Sequence, residues 1–305
     1  MAEKFEPQGI CMFAYNNQEL DYTKFASLAS RYAKHYMNGI KVALITDEGT
    51  ENWLNETKTQ QEIKSLFDYI IINNVQHEQN MRKHMDSPWT EFNAQFTNTN
   101  KHKVFELTPF EKTLLLDTDF LIMNDFYQYL FETDIPVGLH RYAEYIGSER
   151  PYINEITLNE GGIQHWWSTV VYFDQSEESK IFFDMWAHVK EHWEYYSLLY
   201  QFPKSLFRTD FCVSIATHLM NGFTNEEFVH DFLNTPLLNM DQKDDIIGMN
   251  GHDDIIFLKH NRVEQWKNIL VRHKENNLHI MNKRALDRHY FGLLENLDEA
   301  EKVNE

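Results

Sequence analysis

The chain has 305 residues, 47 acidic against 28 basic side chains, a formal charge of -19 and 42% hydrophobic residues. That make-up is ordinary for a globular protein, and it excludes a disordered or fibrous chain and a surface attracted as a whole to nucleic acid. No run approaches the roughly 18 apolar residues of a membrane span, and Met1 to Pro7 lack a basic stretch followed by an apolar one, so an unanchored, cytoplasmic protein is expected.

Gly9 to Tyr15 is an apolar run closed by the polar pair Asn16-Asn17, which predicts a first strand. Cys11 in that run and the distant Cys212 lie in apolar surroundings and read as reduced core thiols. Asp21 is placed to cap a helix whose Tyr22, Phe25, Ala29, Tyr32, Ala33 and Tyr36 recur at helical spacing and which ends before Asn38-Gly39. Lys41 to Asp47 predicts a second strand, and a helical stretch around Gln60 to Phe67 leads to a third, Asp68 to Val75. Strand, helix, strand, helix, strand is the pattern of a parallel α/β sheet. Ligands gather at the carboxyl ends of such strands, which puts Tyr15-Asn16-Asn17, Asp47 and Asn73-Asn74 on one rim. No glycine-rich phosphate loop follows the first strand, which argues against a Rossmann dehydrogenase or a P-loop enzyme.

Ser87-Pro88-Trp89 predicts the start of a helix reaching Phe96, and Leu107 to Phe110 a turn feeding Lys112 to Asn124. In that stretch Leu114-Leu115-Leu116 runs into Asp117-Thr118-Asp119, after which an apolar run resumes. Such a run reads as a strand buried on both faces. Ionised carboxylates inside it would cost several kcal/mol unless paired or metal-bound, so Asp117 and Asp119 mark where burial ends. One residue apart on an extended chain, both point the same way and can hold one hard cation; capping of a following helix is the rival reading.

Further on, Asp125 to Phe131 is predicted helical and Ile135 to His140 a strand. Arg141 to Gln164 is a polar loop containing Gly161-Gly162, long enough to serve as a lid. Trp166 to Asp174 predicts a strand, and Ser176 opens a helix to about Tyr196 with Ile181, Phe182, Met185, Trp186 and Val189 as its core stripe. Phe207 to Met220 is a helix with Asp210 near its start, as a cap or as a functional carboxylate. Ile255 to His260 is a late strand, and Leu278 to Lys283 lies in a segment from Lys259 to Arg288 with eight Lys/Arg against three acids. That local excess suits a phosphate-bearing ligand or a solvated basic helix face. Residues 1–295 are expected to form one domain and 296–305 an acidic, mobile tail.

In this order the features resemble metal-dependent glycosyltransferases of the GT-A fold, of the glycogenin and galactosyltransferase type with bacterial and phage relatives. The matching pieces are Ala14-Tyr15-Asn16 after the first strand, Thr46-Asp47 after the second, and Thr108-Pro109-Phe110 feeding Leu114 to Asp119. Trp167 to Phe173, Asp210 in a helix, and His279 followed by Lys283 complete them. The resemblance implies an α/β, GT-A-like single domain with a mainly parallel central sheet flanked by helices. It implies Mn²⁺ or Mg²⁺ on Asp117, Asp119 and His279, holding the diphosphate of a nucleotide sugar, UDP-linked, beside Thr118. Lys283 would neutralise the departing diphosphate, and Ala14, Tyr15, Asn16 and Asp47 would line the base and ribose pocket. The family's glycine and tryptophan in the C-terminal motif are absent, as is its Asn-x-Gly, where this chain has Trp167-Ser168-Thr169.

Breaking an anomeric bond to a diphosphate develops negative charge on the leaving phosphate, which a divalent ion and a lysine stabilise. If configuration is retained, the departing phosphate oxygen can take the acceptor's proton; if it is inverted, a base is needed, and Asp210 is the candidate. Asp119→Ala is expected to abolish turnover and leave the fold intact. The acceptor is a hydroxyl of a saccharide, lipid or protein, or of a hydroxymethylated pyrimidine in phage DNA, in which case the enzyme works in a host's cytoplasm. A DNA base would have to be flipped into a pocket lined by part of Arg141 to Trp167. Two other classes use the same features: a binding module of this fold without turnover, and a haloacid-dehalogenase-type phosphatase with the first Asp as nucleophile, although that family carries its motif on the first strand.

Overall fold

The apolar runs form strands because the sheet they enter is covered on both faces. The computed structural model describes residues 5–17, 19–74, 81–95, 99–147, 162–202, 207–222, 228–261 and 267–304. In chain order its elements are β1 (Glu6–Phe13), α1 (Tyr22–Tyr36), β2 (Val42–Thr46), α2 (Glu48–Leu54), α3 (Lys58–Lys64), β3 (Tyr69–Ile72), β4 (Met81–Met85) and β5 (Glu91–Gln95). A 3-10 turn (Lys101–Lys103) leads to α4 (Val104–Leu107), β6 (Phe110–Leu116) and β7 (Phe120–Leu121), and a second 3-10 helix (Phe126–Glu132) to β8 (Val137–His140) and β9 (Ala143–Tyr145). Then come β10 (Trp167–Asp174), α5 (Glu177–Glu191), α6 (Trp193–Leu199), α7 (Thr209–Asn221) and β11 (Val229–Asp231). The chain ends with β12 (Leu237–Met240), β13 (Asp245–Met249), β14 (Asp254–Lys259), β15 (Ile269–Lys274), β16 (Leu278–Ile280) and α8 (Lys283–Asn304).

Seven strands form the main sheet in the order β11-β8-β10-β6-β1-β2-β3. Only the pairings made by β10 are antiparallel, so the sheet is mainly parallel, as expected. Alternate residues of one strand enter different cores. Ile10, Met12 and Ala14 face α1 and α8, while Cys11, Phe13 and Tyr15 face α5 and α7. Leu114 and Leu116 divide from Leu115 in the same way. This is why the strands read as continuous apolar runs rather than as alternation. Asp21 caps α1 by accepting from Lys24 N at 3.0 Å, and the helix ends where Asn38 (φ 51) and Gly39 (φ 69) turn left-handed.

A four-stranded sheet, β7-β16-β12-β9, sits beside the first, and β13-β14-β15 form an antiparallel sheet of three. These short strands, apart from β14, are absent from the pattern read in the sequence. So is α2, which Asp47 caps by accepting from Thr50 N at 2.7 Å.

Three expectations need correction. Residues 81–95 form a hairpin and no helix: Ser87 Oγ accepts from the amides of Trp89 (3.2 Å) and Thr90 (3.0 Å), making a tight turn around Pro88. The helix from Ser176 stops at Glu191, α6 restarts at Trp193, and Ile181 faces solvent at 53% exposure, outside the core stripe. Residues 296–304 continue α8 and are no mobile tail; Leu297 is 0% exposed, and Asp298 and Glu301 take Arg31 of α1 at 2.6 and 2.9 Å. Leu297→Ala should therefore cost about 2–4 kcal/mol and lower the melting temperature by roughly 5 °C or more. An unchanged melting temperature would restore the tail. The lid expected over Arg141 to Gln164 falls mostly outside the described residues; its described start holds β9.

Candidate active site

β6 ends at Leu116, where the chain must leave the sheet. Asp117 N still donates to Thr169 O of β10 at 2.9 Å, then Phe120 N donates to Asp117 O at 3.1 Å and closes a turn. The chain enters the small sheet as β7. Asp117 and Asp119 thus converge through a turn between two sheets, not by alternation along one extended strand. β16 pairs antiparallel to β7 with His279 opposite Phe120, and Ile280 N donates to Asp119 O at 2.9 Å. That register carries an imidazole from far along the chain to the carboxylates. Among the described residues, Asp117, Asp119 and His279 form a group whose potential ligand atoms all lie within 4.8 Å of one another.

Asp119 is 3% exposed, and it contacts Lys283 Nζ and, at 3.3 Å, His279 Nε2. Burial alone would raise its pKa, but the Lys283 and His279 charges outweigh burial and hold the carboxyl well below the usual range. For Lys283, burial pulls the pKa down and Asp119 more than restores it, so the ammonium stays charged. Asp117, half-buried, contacts Lys101 Nζ, which also donates to Ser168 O at 3.1 Å and is 4% exposed. His279 Nδ1 lies 2.9 Å from Asn239 Oδ1, its partner on β12. The amide oxygen only accepts, so Nδ1 donates to it, and Nε2, which faces Asp119, is left as the nitrogen that can give its lone pair to a cation. A lone pair and two carboxylates gathered in one place fit a divalent cation, and this oxygen-rich set with one imidazole suits Mn²⁺ or Mg²⁺.

The three groups open on a cleft enclosing about 930 Å³, its mouth included. Of the other residues singled out in the sequence, Tyr15, Thr118, Asp210 and Lys283 line it. Ala14, Asn16 and Asp47 do not. Ala14 is buried among the core side chains. Asn16 and Asp47 line an adjoining depression that shares Gln95 with the cleft, and both have local work: the Asn16 amide donates to Asp21 Oδ1 at 2.9 Å, and Asp47 caps α2. The expected base and ribose pocket is therefore split, and of its four residues only Tyr15 reaches the cleft.

Asp210 is neither a helix cap nor suited to be a base. Its Oδ1 accepts from Ser168 N (3.0 Å) and Ser168 Oγ (2.7 Å), and Oδ2 from Arg208 at 3.0 Å. Burial would raise its pKa, but Arg208, His165 and the Ser168 donors together hold it well below the usual carboxylate range. A general base needs a pKa near working pH. Asp210 instead ties α7 to β10.

The sequence reading missed Lys101, Arg208 and His84, all of which line the cleft. Nothing local separates Lys101 from the exposed Lys103; the 3-10 turn that aims it at β10 does. The basic excess of the C-terminal segment is largely paired. Arg272 meets Asp254, Lys274 meets Glu275, Arg284 meets Glu19, and Arg288 meets Asp86 and Asp245, so each of these residues has an acidic partner.

No family model matches the chain, and no curated protein matches it. Similar solved structures include the glycosyltransferase GlyE of Streptococcus pneumoniae, 11% identical over 73% of this chain and 45% of that one, with a TM-score of 0.39. The galactosyltransferase LgtC in complex with donor and acceptor sugar analogues is 13% identical over 73% and 72%, TM-score 0.44. Mouse xyloside xylosyltransferase 1 is 12% identical over 74% and 85%, TM-score 0.44. The chain thus spans under half the length of the pneumococcal protein. At these values no reaction is carried over from them.

Proposed function

We propose that the protein is a glycosyltransferase of the GT-A type that moves a sugar from a nucleotide-diphosphate sugar, UDP-linked, to a hydroxyl acceptor, with Mn²⁺ or Mg²⁺ held by Asp117, Asp119 and His279. The observation that carries this reading is the meeting of two carboxylates and an imidazole at the carboxyl edge of a mainly parallel sheet, with a lysine on each carboxylate. Charges support it. Asp117 and Asp119 balance Lys101 and Lys283, so a divalent cation entering alone would leave a buried excess that the diphosphate of a nucleotide sugar cancels. The bound cation would supply Lewis-acid stabilisation of the departing phosphate. Lys283 and Lys101 would then face that phosphate as its remaining positive partners. With Asp210 held ionised by Arg208 and Ser168 and its pKa far below working pH, the proton of the acceptor hydroxyl is left to the departing phosphate oxygen, which favours retention of configuration.

The paired state of the basic segment favours a saccharide, lipid or protein hydroxyl over DNA as acceptor. The test is a panel of nucleotide sugars with Mn²⁺, scored by nucleoside diphosphate release. Metal-dependent release from a UDP-sugar is the expected result; binding of UDP with no release from any donor would instead point to a module without turnover, and release of phosphate from a monoester to the phosphatase.

A further inference from the structure

The β4–β5 hairpin is clamped to the segments that carry the site. Met85 N donates to Gln242 Oε1 at 3.0 Å, and Asn282, which precedes Lys283, donates to Asp86 O at 3.1 Å. Arg288 Nη1 reaches both Asp86 carboxylate oxygens at 2.8 and 2.9 Å, and the Arg284 guanidinium lies 4.7 Å over the Phe92 ring. Held this way, the hairpin forms a wall of the cleft and presents His84 to it. The His84 ring stacks on Phe92, with centroids 5.4 Å apart, and is 4% exposed. Its Nε2 is buried with no hydrogen-bond partner among the described residues. Buried polar atoms are nearly always satisfied, so an orphaned nitrogen on a residue of the cleft wall asks for a ligand atom, which it meets once the ring shifts toward the cleft, since the nitrogen's own surface is closed to water. Burial, then the nearby Lys283 and Arg82 charges, push the ring pKa down to about 3, so the imidazole is neutral and Nε2 can carry a proton to donate. Those same cations make the surroundings favourable for an anion.

We infer that His84 donates a hydrogen bond from Nε2 to an oxygen of the diphosphate group bound in the cleft, which makes the β4–β5 hairpin part of donor recognition. This assignment rests on the nucleotide-sugar reading above. It adds a partner for the phosphate that comes from neither the metal ligands nor Lys283.

The test compares the affinity of wild type, His84→Phe and His84→Gln for UDP and for inorganic pyrophosphate, each with Mn²⁺, by calorimetry. His84→Phe keeps the stacked ring and loses the donor; it should weaken both ligands by about tenfold or more, the scale of a hydrogen bond to a charged group. His84→Gln should recover most of that loss, and the melting temperature of His84→Phe should not fall, since an unpaired nitrogen has been removed. Equal affinity of His84→Phe and wild type for both ligands would overturn the assignment, as would a loss for UDP with none for pyrophosphate, which would place the contact on the uridine. Wild-type protein that binds pyrophosphate through His84 but no UDP would contradict the nucleotide-sugar reading and support the phosphate contact; binding of neither would contradict both.

Discussion

Asp119→Asn should lower metal-dependent release of nucleoside diphosphate by about three orders of magnitude or more, because losing one cation ligand forfeits several kcal/mol of charge stabilisation. The asparagine variant is the milder of the two: it also removes the counter-charge of Lys283, but its amide oxygen can still accept from the ammonium. Asp119 is buried against Lys283, so Asp119→Ala would strand a buried ammonium and destabilise the protein by about 3–5 kcal/mol. The expectation that the alanine change spares the fold, natural for a carboxylate at an open rim, is corrected by that pairing. Denaturant unfolding separates the two effects. Asp119→Ala combined with Lys283→Met should recover much of the stability lost by Asp119→Ala alone, while release stays abolished. If Asp119→Asn retained release within tenfold of wild type, the carboxylate would not be a cation ligand.

Lys101→Met is expected to cut release by about 10²–10³-fold, the scale for removing one preorganised charge from a developing anion. Its stability cost should be smaller than that of stranding Lys283. Asp117 is half-buried and keeps access to water once its partner is gone, and only the bond to Ser168 O is lost besides. The distinguishing readout is Mn²⁺ binding without nucleotide. Lys101 competes with any cation for Asp117, so Lys101→Met should bind Mn²⁺ at least as tightly as wild type while losing affinity for UDP. A variant that lost Mn²⁺ binding and kept its release rate would reverse the role given to Lys101.

The parts of the fold that were legible in the sequence are those whose burial is one-dimensional. β1, β2, β6 and β10 lie between two cores, so each shows as an apolar run, and α1 carries both a cap and a period. The short strands of the small sheets show no such sign. β7, β9 and β16 have two or three residues each, and their pairing is fixed by partners far along the chain. The hairpin at 81–95 was hidden because Ser87-Pro88 serves equally as a helix start and as a turn, and only the Ser87 side chain's bonds decide. The acidic end of α8 looked like a solvated tail because the partner of Asp298 and Glu301 is Arg31, some 267 residues away in sequence for the first of them.

For the site, Asp117 and Asp119 announced themselves as charges inside an apolar run, and His279 and Lys283 entered through the resemblance. Their convergence depends on the β7–β16 pairing. Lys101 and His84 carried no local sign, since one is aimed by a 3-10 turn and the other by a hairpin clamped from α8. Asp210 was visible as a carboxylate at a helix start, but its use is set by Ser168 across the space between α7 and β10, and that partner makes it a tie between elements.

The most direct measurement is anomalous diffraction from crystals of the protein grown with Mn²⁺ and UDP. A single strong manganese peak in coordination contact with Asp117, Asp119 and His279, with the UDP diphosphate completing its shell, is the predicted result. Manganese and UDP bound elsewhere, with Lys101 and Lys283 still seated on the two carboxylates, would contradict it.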